Sequence, residues 1–165
     1  MRFRVEHRVP QVSADALYRA FREHSLAYLR HLPAIEGCEP LGEGDGSERR
    51  VRWRARESEV PAAVRPFVRR EDLQWMEETR WDDAGREARS RITRPGSDRL
   101  HCDSVIRFHE APGGAVLTCE GDLRIRLPLV GGLVEEAAVS VLRERLGDFF
   151  EEFARKTMPL PLPVH

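Results

Sequence analysis

The strongest constraint on this chain is a change of hydrophobic period close to Pro128. Before it, Leu117, Cys119, Gly121, Leu123, Ile125 and Leu127 alternate with Thr118, Glu120, Asp122, Arg124 and Arg126, the pattern of a half-buried strand. Beyond Pro128-Leu129-Val130-Gly131-Gly132 the period becomes 3.6, with Val134, Ala138, Val141, Leu142, Leu146, Phe149 and Phe153 on one broad apolar arc. This predicts a helix over about 133–157, roughly 37 Å long at 1.5 Å per residue. Pro128 ends the strand, and Gly131-Gly132 are expected to let the chain turn sharply beneath the sheet. A helix with so wide an apolar face must be covered by a sheet or by other helices.

The rest of the chain predicts the sheet. Phe3, Val5, His7 and Val9 alternate with Arg2, Arg4, Glu6 and Arg8 until Pro10, which predicts a first strand. Ser13 is placed as the N-cap of a short helix over 14–23, with Leu17, Ala20 and Phe21 as its stripe. A second short helix over 26–32 would stop at Pro33. Turn signals then recur at strand spacing: Gly44-Asp45-Gly46, Asp82-Asp83-Ala84-Gly85, Pro95-Gly96-Ser97-Asp98 and Pro112-Gly113-Gly114. Between them Val51, Trp53 and Ala55 oppose Arg50, Arg52, Arg54 and Arg56. Leu73, Trp75, Glu77, Thr79 and Trp81 share a face, as do Ala88, Ser90 and Ile92, then Leu100, Cys102, Ser104, Ile106 and Phe108. Short turns between such runs predict an antiparallel meander. Pro61 and Pro66 keep residues 60–68 out of any ladder, so a covering loop or short helical turn is expected there.

A strand, two short helices, a meander and one long terminal helix is the element order of the START-like, or SRPBCC, superfamily. That superfamily includes polyketide cyclases and dehydratases, lipid-transfer domains and plant hormone-binding proteins. Particular residues resemble one of its bacterial families of unknown function. They are Phe3-x-Val-x-His7 with Val12-Ser-Ala-Asp-Ala-Leu-Tyr-Arg-Ala-Phe21, the stretch Val60-Pro-Ala-Ala-Val-Arg-Pro-Phe-Val68, and Glu78-Thr79-Arg80-Trp81. The most specific is Arg124-Ile-Arg-Leu-Pro-Leu-Val-Gly-Gly-Leu-Val-Glu135. The resemblance implies an α+β helix-grip fold, a curved antiparallel sheet of about six to seven strands around the long C-terminal helix. It brings no catalytic residues with it, because its motifs are structural.

Two charges interrupt the apolar faces. Arg145 falls on the helix arc and Glu77 lies between Trp75 and Trp81, and a charge facing an apolar interior is costly unless paired or wet. Either Arg145 anchors a ligand carboxylate or oxyanion, or it pairs with Glu77 or Glu135, or it reaches out to solvent; structural pairing is the commoner arrangement. His7 points inward and would serve as a general base only beside Glu77 or Ser104. Trp53, Trp75 and Trp81, with Phe149, offer flat apolar surface for either a core or a cavity wall. His101, Asp103 and His109 share the outward face of one strand, too few for a metal site. The Arg50–Arg56 ladder, flanked by Glu48, Glu57 and Glu59, reads as a solvated face, not an RNA site.

The expected ligand-binding set is therefore Arg145, Glu77, His7, Trp53, Trp75, Trp81 and Phe149, with no cofactor and no metal. One domain over 1–158 is expected, followed by an extended Pro-rich tail over 159–165. A net charge of −1 provides no field for nucleic acid. No run approaches a membrane span or a signal peptide, and three cysteines without CxxC spacing suit a reduced, cytoplasmic protein. The functional expectation is non-enzymatic binding or transport of a hydrophobic small molecule, such as a lipid, acyl chain or polyketide. A cyclase or dehydratase-like enzyme, or an interaction module with a collapsed cavity, is the alternative.

Overall fold

All the strands but the second form where alternation places them. They are β1 (Arg2–Pro10), β2 (Ile35–Pro40), β3 (Glu48–Ala55), β4 (Gln74–Asp82), β5 (Glu87–Arg94), β6 (Ser97–Ala111) and β7 (Gly114–Ile125). The computed structural model describes residues 1–42 and 46–158. Among these, the seven strands make one antiparallel sheet in the order β1-β7-β6-β5-β4-β3-β2. Helix α1 (Ala14–Leu29) follows β1, and α2 (Gly131–Thr157) follows β7. This is the helix-grip arrangement. The Pro-rich tail, and the Gly44-Asp45 part of the first expected turn, lie outside the described residues.

Ser13 caps α1 as expected, accepting from the Ala16 N–H at 3.1 Å. The two short helices predicted after β1 are instead one continuous helix of 16 residues. No glycine or proline interrupts the chain between Ala14 and Pro33. Ser25, at the expected break, is fully buried and its hydroxyl accepts from Arg49 at 3.1 Å, so burial carries the helix through it. Strand β2 carries little alternation because it is an edge strand, paired only with β3 and ended by Pro40. Gly96 and Gly113 take φ of +71° and +77° in the β5–β6 and β6–β7 turns.

The turn into α2 works differently from the expectation placed on Gly131-Gly132. The left-handed residue is the exposed Leu129, at φ +66°. Gly131 is needed for closeness, since a Cβ there would stand 2.7 Å from the Ile125 carbonyl oxygen, while Gly132 faces open space.

The core concentrates at one end of the sheet. Phe21 of α1 packs against Trp81, Phe108, Phe149, Phe150 and Phe153, with ring centroids 5.4–6.3 Å apart. Antiparallel alternation puts the β3–β4 connection, the β5–β6 turn and the β7–α2 turn together at the opposite end. There residues 56–73 form a covering segment with three short 3₁₀ turns, Glu57–Glu59, Arg65–Phe67 and Arg70–Leu73. This is the loop that Pro61 and Pro66 predict.

Candidate functional site: a cavity between sheet and terminal helix

The apolar arc of α2 is used in two halves. Phe149, Phe150, Phe153 and Ala154 are buried in the core, whereas Val134, Ala138, Val141, Leu142, Arg145 and Leu146 face a cavity of about 410 Å³. Its opposite wall comes from the near ends of the strands, with Trp53 and Ala55 of β3, Trp75 and Glu77 of β4, Ile92 of β5 and Leu100 of β6. Val60, Pro61, Val64 and Val68 of the covering segment close it from the side. The volume lies within the roughly 300–1,000 Å³ common for small-molecule pockets.

Glu77 is the polar centre of the sheet wall. One oxygen accepts from the Trp53 indole at 2.7 Å and the other from Thr79 Oγ1 at 2.9 Å, while Thr79 also bonds Ser90 at 2.8 Å. The counter-charge is Arg49, with its guanidinium 3.7 Å from Glu77. Arg49 also donates to Ser25 and lies 5.4 Å from the Trp81 ring centroid, which makes a cation–π contact. Its Nε is buried without a hydrogen-bond partner among the described residues, and burial draws the guanidinium below its ordinary pKa against the pull of Glu77. Sequence reasoning missed Arg49, although the β3 alternation contains the signal: position 49 has the parity of Val51 and Trp53.

Arg145 pairs with neither Glu77 nor Glu135. It donates to Glu59 of the covering segment at 2.8 Å, and both side chains are about one-third exposed, where the cavity meets solvent. Glu135 instead holds the N-terminal ammonium at 2.6 Å and the Ile125 N–H at 2.9 Å. Asp72 ties the other end of the covering segment down. It bonds Arg94 of β5, stands 3.9 Å from Arg99 of β6 and accepts from the Arg69 N–H at 2.9 Å. Arg94 continues the Ala88-Ser90-Ile92 parity, a second inward charge that the pattern contains.

The remaining expected residues lie away from the cavity. His7 is half-buried on β1 opposite Leu117, with β5, β6 and β7 between it and Glu77, so no histidine–carboxylate pair forms. Trp81 packs on Tyr18, Phe21 and Arg49. Phe149 belongs to the Phe21 cluster. The buried Cys102 and Cys119 thiols are pushed up to about 12 by burial, which removes them as nucleophiles. His101 bonds Asp103 at 2.8 Å on the outer face, and no group of three or more ligating side chains is placed to hold a metal among the described residues. A broader depression of about 910 Å³ on the outer sheet face is lined by paired charges such as Arg91–Asp103 and Arg4–Glu120, the expected state of a solvated surface. No helix among the described residues is long and apolar enough to cross a membrane.

A family model described as "Protein of unknown function (DUF2505)" matches residues 2–152. No curated protein sequence matches the chain. Among solved structures, the chain is similar to norcoclaurine synthase from Thalictrum flavum in complex with dopamine and hydroxybenzaldehyde. That likeness has 15% identity and a TM-score of 0.68, covering 97% of this chain and 89% of that one. It is similar to the Zhui aromatase/cyclase from Streptomyces sp. R1128, with 18% identity, TM-score 0.64 and coverage of 99% and 100%. It is also similar to a START superfamily protein from Mycobacterium smegmatis, with 18% identity, TM-score 0.59 and coverage of 94% and 97%. Identities this low show the fold, which is the START-like helix-grip.

Proposed function

The chain belongs to the DUF2505 family, and from the geometry of its cavity we propose that it binds a hydrophobic small molecule between sheet and α2, as a carrier and not as an enzyme. The observation that supports this reading is the cavity of about 410 Å³ itself, walled by valine, leucine, alanine and two tryptophans where a filled protein would pack its core. Burial of apolar ligand surface there supplies the driving force. Three free cysteines suit a reducing compartment such as the cytoplasm.

The charge arrangement favours a carrier. Both Glu77 oxygens already accept hydrogen bonds, and the two buried thiols are held protonated. No nucleophile–base pair faces the cavity among the described residues. Two of the similar solved structures carry enzyme names, so turnover is the outcome to test against. Native mass spectrometry of the purified protein is expected to show a one-to-one adduct that extracts into organic solvent chemically unchanged. An adduct that converts to a different compound on incubation would overturn the carrier reading, and a cavity that never retains a hydrophobic molecule would overturn ligand binding.

A further inference from the structure

The charges around the cavity do not balance, and the imbalance identifies a ligand chemistry. Arg56, Arg94, Arg99 and Arg145 line it with three carboxylates, Glu59, Asp72 and Glu77. Glu77 is already matched by Arg49 on its far side, so the four arginines share Glu59 and Asp72. Arg145 takes Glu59, and Arg94 takes Asp72. Arg99 is left 3.9 Å from an oxygen that Arg94 already holds, with its side chain 36% exposed. Among the described residues Arg56 donates to the Pro33 and Ile35 carbonyls alone, at 3.1 and 3.4 Å. These two cations therefore border an apolar void with no carboxylate at hydrogen-bonding distance among the described residues.

We propose that the ligand is an amphipathic carboxylate, with its head group held by Arg99 where the cavity meets solvent and its apolar body lying against Trp53 and Trp75. The guanidinium fork matches a carboxylate with two parallel hydrogen bonds, and the neighbouring apolar wall strengthens the attraction by excluding water. Arg145, already satisfied by Glu59, takes no part in holding the head group. This inference rests on the cavity-binding reading and adds the sign of the head group.

Decanoate and decan-1-ol share a chain and differ in that group, so their calorimetric titration at pH 8 separates the two claims. Decanoate is expected to bind about tenfold more tightly than decan-1-ol, the size of one charge-assisted hydrogen bond at a partly solvated site. Arg99→Gln is expected to remove most of that preference, and Arg99→Lys to restore part of it. Arg126→Gln, which removes an exposed partner of Asp98, should leave the preference intact. Equal affinity for the two compounds, or a preference that survives Arg99→Gln, overturns the head-group assignment while cavity binding stands. Failure of both compounds to bind overturns the cavity reading together with this one.

Discussion

Glu77→Gln is expected to destabilise the fold by about 3 kcal/mol in urea denaturation, with no change of secondary structure. The substitution keeps one oxygen for the Trp53 indole and turns the other into an NH2, which donates to Thr79 Oγ1 once that hydroxyl donates to Ser90 instead, so the main loss is the charge. Arg49 is then left without a counter-charge, held only by Ser25 and the Trp81 ring and with its Nε already unpartnered. Both side chains are about 15% exposed, 16% for Arg49 and 15% for Glu77, so solvent screens the loss poorly. Adding Arg49→Met removes the stranded cation, and the double variant is expected to recover to within about 1 kcal/mol of the parent. A Glu77→Gln protein within about 0.5 kcal/mol of the parent would show that the two groups do not depend on each other.

Ala138→Trp is expected to lower affinity for a hydrophobic ligand at least about 100-fold, or roughly 2.7 kcal/mol. Residue 138 faces the void from α2, so an indole there occupies the ligand's space. Stability discriminates between a cavity and a core. Overpacking a filled interior costs about 1–3 kcal/mol, whereas filling a void that is already present costs little or is favourable. A variant that keeps its Tm and loses its ligand supports the cavity. One that keeps both its Tm and its affinity places the ligand elsewhere.

These two expectations mark what alternation can and cannot tell. Parity assigns a face correctly: Trp53, Trp75, Glu77, Thr79 and Trp81 all point to the concave side. Parity carries no information about position along the strand, and here that position decides the role. Trp75 and Glu77 stand near the start of β4 and reach the cavity, while Trp81, near its end, meets Phe21 in the core. The same division runs along α2, with the wall up to Leu146 and the core from Phe149. His7 and Phe149 share a face with the cavity residues and belong to the packed end.

Charge pairing is encoded in a local pattern only where the partner sits on a neighbouring strand. Arg49 follows from β3 alternation and antiparallel pairing, which sets Arg49 opposite Thr79, one inward position from Glu77. Glu59 meets Arg145 across 86 residues, through a covering segment whose path is set by tertiary packing and not by any local period. Asp72, Arg94 and Arg99 converge for the same reason. The continuity of α1 is hidden in the sequence because its middle turn is polar in composition yet buried in place, at Ser25.

The central claim is that a hydrophobic molecule sits between the sheet and the N-terminal half of α2. Methyl-labelled protein saturated with decan-1-ol provides the most direct measurement, through intermolecular nuclear Overhauser effects. The account predicts contacts from the alkyl chain to the methyls of Val64, Val141, Leu142 and Leu146, all of which line the cavity. Contacts confined to Val105 on the outer sheet face, or no contacts at saturation, would contradict it.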